Sequence, residues 1–161
     1  MFHLSTRSIA EEHIFRDAAD YAAGLTIVAG VVAQGLMVCH LLCLMPTHYH
    51  VLATFPGGAL TDAAHKLNRR YAVRFNRRWN RHGRVFDGPF SAKEVATEAH
   101  FLEAVRYIAN NPPEPETWPY SSYPALLGLR PPWSFVDPAP ILEAFPDPAA
   151  LRAFVNERRA A

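Results

Sequence analysis

The residues best suited to chemistry are two histidines, His48 and His50, in an apolar segment that is rich in strand-forming residues. Side chains alternate between the two faces of a strand, so both imidazoles are predicted to point to one side and Tyr49 to the other. Neutral imidazole nitrogens are common ligands of divalent metal ions. The pair is interpreted as half of a metal site, and the alternative is a pair of hydrogen-bonded core histidines.

The other half of such a site is predicted further along the chain. Tyr107 and Asn111 lie four residues apart near the end of a predicted helix, so we expect them to share one helix face. The amide oxygen of Asn111 suits a divalent ion as a third ligand, although an asparagine before a proline often simply ends a helix. The phenol of Tyr107 could attack phosphorus as a nucleophile and form a phosphotyrosine, while the metal ion polarises the phosphate.

A basic segment lies between these two halves. Nine of the sixteen Lys and Arg residues, with Asp87 as the one acid, fall between residues 65 and 93, although the net charge of the chain is only +1. Such a local positive field is typical of proteins that bind a polyanion, but a basic stripe is also the ordinary exposed face of a helix. We expect these residues to bind DNA: Lys66, Arg69, Arg70, Arg74, Arg77, Arg78, Arg81 and Arg84.

The elements that must position these residues are predicted from hydrophobic periodicity. Strands are expected over residues 2–8, 36–44, 48–55 and 85–95, and helices over 16–34, 59–79 and from 97 to the prolines at 112 and 113. Pro46 and Thr47 are interpreted as a hairpin turn or as a bulge in one long strand. This order of elements predicts an α+β fold of the ferredoxin-like kind, an antiparallel sheet with helices packed on it.

Most of the prolines follow residue 111, and they indicate an irregular but ordered wrap over the core. We expect one domain over residues 1–128 and a proline-rich C-terminal extension over 129–161. Short helices are predicted over 138–145 and 148–158, each beginning at the proline of an Asp-Pro pair whose aspartate is the cap. Cys39 and Cys43 are interpreted as free, buried thiols. The chain shows no signal pattern and no membrane-spanning run, so a cytoplasmic protein without membrane contact is expected.

Seven segments, taken in order, resemble the HUH single-tyrosine transposases, specifically the REP-associated tyrosine transposases. They are residues 45–50 (MPTHYH), 67–72 (LNRRYA), 75–78 (FNRR), 83–90 (GRVFDGPF), 106–112 (RYIANNP), 118–123 (WPYSSY) and 127–128 (LG). The two-histidine motif alone has low specificity. Its combination with the tyrosine motif, and with the basic helix between them, is highly specific and covers roughly residues 2–128.

The resemblance implies a ferredoxin-like fold and cleavage of single-stranded DNA beside hairpins, with Mg²⁺ or Mn²⁺ as the cofactor. By position, His48, His50 and Asn111 correspond to the metal ligands. Tyr107 corresponds to the nucleophile, which keeps the 5′ phosphate and leaves a free 3′ hydroxyl. Thr47 stands where asparagine is common, which would change the hydrogen bonding of the first histidine. Related transposases work as dimers, whereas the C-terminal wrap here would cover such a surface, so homodimer and monomer both stay open.

Two other functions fit the same residues. One is a binding module for single-stranded or hairpin DNA that keeps the fold but has little catalytic activity. The other is a replication initiator or relaxase, which shares the two-histidine chemistry but has a longer chain. The remaining histidines are interpreted as surface or packing residues: His3, His13, His40, His65, His82 and His100.

Overall fold

A computed structural model of the chain describes residues 1–157. Four strands form one antiparallel sheet in the order β2-β3-β1-β4, where β1 is Phe2–Arg7, β2 is Val38–Met45, β3 is His48–Thr54 and β4 is Ser91–Glu94. The long helices are α1 (Ala18–Ala33), α2 (Leu60–Arg78) and α3 (Glu98–Ala109). The predicted α+β, ferredoxin-like fold is confirmed.

The two faces of the sheet belong to two different cores. Tyr49 and Val51 of β3 pack with the buried Tyr71 and Phe75 of α2, and α1 completes this core. Leu52, on the opposite face, packs with α3 and the C-terminal helices. Each large apolar side chain buried in this way contributes roughly 1.5–3 kcal/mol to stability. The alternation along β3 therefore decides which residues meet α2 and which meet α3.

The turn between β2 and β3 is a hairpin turn, not a bulge. Met45 pairs with His48, so Pro46 and Thr47 are the two residues of the loop. Proline is tolerated here because its missing N–H is not needed by the strand ladder. The tight turn sets the register that places the two histidines at the start of β3.

The predicted strand over residues 85–95 is too long. Only Ser91–Glu94 pairs with β1, and Phe86 forms a single isolated bridge with Ser8. Gly88 has a φ of +83°, a left-handed conformation that leaves the extended strand geometry. Pro89 follows it and cannot donate a ladder hydrogen bond. Residues 79–90 therefore form a loop, which leads from α2 to β4.

The chain after α3 covers the outer edge of β2. The ring of Tyr120 stacks on that of Tyr21 in α1, with 3.6 Å between the ring centroids. The backbone bonds along this edge are Leu44 N to Tyr120 O (2.9 Å), Ser122 N to Leu42 O (2.8 Å) and Asp137 N to Cys39 O (2.8 Å). Strand β2 is thus not an open edge that could pair with another chain.

Three short helices lie in this C-terminal part: α4 (Tyr123–Leu126), α5 (Ala139–Ala144) and α6 (Pro148–Asn156). The last two are the predicted helices, and Asp147 caps α6 by accepting a hydrogen bond from the N–H of Ala150. The predicted end of that helix, at residue 158, lies outside the described residues. Cys39 and Cys43 are free and buried, as predicted. No helix within residues 1–157 has the length and apolar character needed to cross a membrane.

Candidate functional site

The two histidines of β3 point to the face of the sheet that α3 covers. His48 lies opposite Arg7 of β1, and His50 lies opposite Ser5 of β1 and Cys43 of β2. Their ring centroids are 5.1 Å apart and the rings are nearly perpendicular, at 79°. His50 is buried, with 6% of its surface exposed, whereas His48 is partly exposed. The strand alternation predicted from the sequence therefore brings the two imidazoles together.

Asn111 reaches the histidine pair from the turn after α3. Its Oδ1 lies 2.8 Å from Nε2 of His48. Helix α3 ends at Ala109 and Asn110 is its C-cap, so Asn111 is not helical. The expectation that Tyr107 and Asn111 share a helix face is wrong for this reason, although the structure brings both residues to the histidines.

Tyr107 lies beside the histidines, on the last turns of α3. Its ring centroid is 5.2 Å from that of His50 and 5.6 Å from that of His3, and 47% of its surface is exposed. It lines two clefts, of about 450 and 270 Å³, which also share the side chain of His50. The phenol of Tyr107 is therefore accessible to a ligand that enters either of these two open clefts.

Each histidine of the pair has a hydrogen-bond partner at its Nδ1 atom. Nε2 of His3 lies 2.9 Å from Nδ1 of His50, and Oγ1 of Thr47 lies 2.9 Å from Nδ1 of His48. His3, which the sequence suggests is a surface or packing residue, packs against His50 and Tyr107 and also hydrogen-bonds to His50. The alternation in β1, which puts His3 and Ser5 on one face, was the signal that could have found it once β1 was paired with β3.

Burial keeps these imidazoles neutral at physiological pH. It lowers the pKa of His50 from 6.5 to about 3, and the neighbouring His3 and His48 add to this effect. Burial, together with the charge of Lys93, lowers the pKa of His3 to about 4. Burial also lowers the pKa of His48, against the opposing effect of its bond to Asn111. A neutral imidazole keeps one nitrogen lone pair, which is what a metal ligand requires.

The donor atoms fit a divalent metal ion. Two imidazole nitrogens and one amide oxygen form a mixed set that suits Mn²⁺ better than Mg²⁺, since Mg²⁺ prefers oxygen ligands alone. Among the described residues, no group of three His, Cys, Asp or Glu side chains is placed to hold a metal ion. A three-residue set therefore depends on the amide of Asn111. Such a set would leave coordination positions for phosphate oxygens.

The basic face of α2 lies on the other side of the sheet from Tyr107. Its buried side packs in the core that contains Tyr49, whereas His48 and His50 point towards α3. A groove of about 580 Å³ runs along the exposed side around Val73, which is 62% exposed. The basic residues that line this groove are Lys66, Arg69, Arg70, Arg74 and Arg77. The structure does not bring these residues to the tyrosine.

Three of the predicted DNA-binding arginines bind carboxylates of the same chain. The fully buried Asp20 accepts from Nη1 of Arg74 at 2.9 Å and from Nη1 of Arg78 at 2.5 Å. Arg81 pairs with Glu12 at 2.7 Å. The contacts with Asp20 tie α1 to α2, and the pair of Arg81 with Glu12 ties the loop after α2 to the segment before α1. Within residues 1–157 the other five have no carboxylate partner: Lys66, Arg69, Arg70, Arg77 and Arg84.

The loop of residues 79–90 connects the basic face to the site. Arg84 is exposed in this loop. The backbone N–H of Asp87 donates to the carbonyl of Arg7 at 2.9 Å, which ties the loop to the end of β1. Asp87, Pro89 and Arg7 then line the cleft of about 270 Å³ that also contains Tyr107. Exposed cations therefore lie between the groove on α2 and the candidate site.

No family model and no curated protein matches this sequence. Among solved structures, a REP-associated tyrosine transposase bound to a REP hairpin is similar, with a TM-score of 0.66 over 85% of this chain and 86% of that chain, at 15% sequence identity. The fold is that of a REP-associated tyrosine transposase. A putative transposase from Deinococcus radiodurans is also similar, with a TM-score of 0.50, 18% identity, and coverage of 68% of this chain and 88% of that chain. The resemblance predicted from the sequence motifs is confirmed at the level of the fold.

Proposed function

We propose that the protein is a metal-dependent enzyme that nicks and joins single-stranded DNA beside hairpins, in the manner of a transposase. The observation that carries the proposal is the meeting of two distant motifs. Tyr107 lies with its ring 5.2 Å from that of His50, while Asn111 contacts His48 at 2.8 Å. A packing role would not account for a tyrosine that is half exposed beside neutral imidazoles in an open cleft.

His48, His50 and Asn111 would hold a divalent ion, Mn²⁺ or Mg²⁺. The bound ion would supply Lewis-acid polarisation of the scissile phosphate and stabilise the negative charge that develops there. The protein's contribution is to present two neutral imidazoles on a rigid strand, with their second nitrogens already bonded to Thr47 and His3.

Tyr107 would act as the nucleophile. Its phenol oxygen forms a bond to the phosphorus of the scissile phosphate, and the bond from that phosphorus to the 3′ oxygen breaks, so the phosphorus stays on the 5′ end of the downstream fragment. The phenol loses its proton to solvent, and the departing 3′ oxygen takes one up to become a hydroxyl. Because the phosphotyrosine conserves the energy of the broken ester, a 3′ hydroxyl on another end can reverse the step without ATP.

The hairpin would be bound by the basic face of α2, on the opposite side of the sheet. The solved transposase with this fold is bound to a REP hairpin. Lys66, Arg69, Arg70 and Arg77 are exposed and form a positive groove that suits the phosphates of a duplex stem. A single strand that leaves the stem would then follow the loop with Arg84 around the sheet to Tyr107.

The test is a denaturing gel with labelled oligonucleotides that carry hairpins from the DNA flanking the gene. We expect a protease-sensitive covalent adduct with Mn²⁺ or Mg²⁺, and none with EDTA. Tyr107→Phe should lose the adduct and keep the hairpin affinity, and Tyr120→Phe, at a tyrosine that stacks on α1 away from the site, is the matched control. An adduct that persists in Tyr107→Phe would refute the assignment. Hairpin binding without any adduct would favour the alternative of a DNA-binding module.

A further inference from the structure

The Nδ1 atoms of both candidate ligands are occupied by neighbouring side chains. Nδ1 of His48 is 2.9 Å from Oγ1 of Thr47, and Nδ1 of His50 is 2.9 Å from Nε2 of His3. A ring nitrogen engaged in this way is not available to a metal ion. Nε2 is therefore the nitrogen that His50 has left for coordination, whereas Nε2 of His48 lies 2.8 Å from Oδ1 of Asn111.

The hydrogen bond between His3 and His50 has two forms, which differ in the position of one proton. In one form Nδ1–H of His50 donates to Nε2 of His3, and Nε2 of His50 keeps its lone pair. In the other form Nε2–H of His3 donates to Nδ1 of His50, and Nε2 of His50 then carries a hydrogen. Only the first form leaves His50 able to bind a metal ion.

We propose that His3 is a positioning residue for the histidine pair, which accepts the hydrogen bond from Nδ1–H of His50 and so holds His50 in the metal-binding tautomer. The proposal rests on the proposed function, because it assigns an orienting partner to one of the candidate ligands. Metal-binding histidines commonly donate their other N–H to such a partner, and losing the partner weakens metal binding by about 10- to 100-fold. His48 differs: its Nε2 donates to the amide oxygen of Asn111, so its Nδ1 accepts from the hydroxyl of Thr47.

The sheet holds His3 firmly enough for this role. His3 pairs with Leu52 of β3 on one side and with Lys93 of β4 on the other, so its backbone is hydrogen-bonded within a three-strand segment. Its ring lies 5.1 Å from that of His50 and 5.6 Å from that of Tyr107, which restricts its rotation. An orienting group is effective only when its own rotamer is fixed by packing of this kind.

The test is the affinity of the whole chain for Mn²⁺ alone, measured without DNA from the electron paramagnetic resonance signal of the free ion. We expect His3→Phe, which keeps the aromatic ring but has no acceptor, to bind Mn²⁺ about 10- to 100-fold more weakly than the wild type. His3→Gln places an amide oxygen where Nε2 lies, so its affinity should stay within about threefold of the wild type. The matched control is His100→Phe, because His100 lines the same 450 Å³ cleft but has no hydrogen bond to the pair.

A second measurement reports the proton position directly. With diamagnetic Mg²⁺ bound, ¹⁵N–¹H correlation spectra of the histidine rings should show His50 with its proton on Nδ1. If His3→Phe does not fold, His3→Asn takes its place. The amide of this variant is one methylene too short to reach His50, so it is compared with His3→Gln.

The outcomes separate the inference from the function on which it rests. A wild-type chain that binds Mn²⁺, with His3→Phe or His3→Asn binding equally well, would overturn the positioning role alone. A proton on Nε2 of His50 in the Mg²⁺ complex would also overturn it. A wild-type chain that binds neither ion would remove the metal from the proposed function, and the role of His3 with it.

Discussion

The basic face of α2 leads to a quantitative prediction of how the affinity for a DNA hairpin depends on salt concentration. Of the residues that line this groove, Lys66, Arg69, Arg70 and Arg77 are exposed and have no carboxylate partner within residues 1–157. We assume that each of these four residues neutralises one phosphate of a duplex stem. A plot of the logarithm of the binding constant against the logarithm of the salt concentration then has a slope of about −3.6, because each contact contributes about −0.9. Raising the salt fourfold, from about 50 to about 200 mM, would then weaken binding by about 150-fold.

The informative variant replaces Arg69, Arg70 and Arg77 together by glutamine. One groove contact remains, so the slope should fall to about −0.9 and the same change in salt should weaken binding only about three- to fourfold. Fluorescence anisotropy with a labelled hairpin measures both slopes. Arg152→Gln is the control, because Arg152 lies on α6 and pairs with Glu116 at 3.1 Å. A triple variant that keeps the wild-type slope would show that the stem is bound elsewhere.

Three further predictions concern stability and burial. In EDTA, His50 should lower the free energy of unfolding by about 2 kcal/mol between pH 7 and pH 5, because the unfolded ring takes up a proton below pH 6.5 while the buried ring, with a pKa of about 3, does not. Urea unfolding at the two pH values measures this decrease in the free energy of unfolding, and the decrease should be smaller in His50→Gln. Burial raises the pKa of Cys39 and Cys43 to about 12, so both thiols should react with a disulfide reagent at pH 8 only after unfolding, and fast labelling of the native protein would contradict this. Asn110→Ala should cost about 1 kcal/mol, since its Nδ2 donates to the carbonyl of Val155 in α6 at 2.6 Å, and an unchanged urea midpoint would show that this bond does not hold α6 to α3.

Much of the site could be predicted because strand alternation is a strong local rule. His48 and His50 had to share a face, and Tyr49 had to take the other, whatever the rest of the fold. The sequence predicts that Asn111 lies beside the histidines as a third metal ligand, but the shared helix face with Tyr107 is the wrong reason for it. The helix stops at Ala109, and the turn that follows still carries the amide to the imidazole.

The sequence does not show which helix covers which face of the sheet. Both α2 and α3 have a buried stripe, and nothing in the spacing of Leu67, Tyr71 and Phe75 tells which face of β3 they meet. The separation of the basic groove from Tyr107 is therefore a property of the whole fold. The ion pairs of Arg74 and Arg78 with Asp20 were likewise hidden, because these residues are more than fifty positions apart in the chain.

The contact between His3 and His50 could not be predicted for a related reason. A lone histidine in a short first strand has no local signature, and its meaning depends on the pairing of β1 with β3. That pairing places His3 next to His50 only in the register that is observed. A slip of one residue would turn His3 to the opposite face, towards α2.

One structural feature sets both halves of the proposed activity. The hairpin turn at Pro46 and Thr47 starts β3, and its register turns His48 and His50 towards α3 while Tyr49 points to α2. The hydroxyl of Tyr49 donates to Oδ1 of Asn68 at 2.7 Å, which ties the middle of the histidine motif to the helix that carries the basic groove. Three consecutive residues thus connect the candidate catalytic centre with the candidate DNA-binding face through the sheet. A change in this turn is expected to disturb metal binding and hairpin binding together. A change at Asn111 should affect only metal binding, and a change on the exposed side of α2 should affect only hairpin binding.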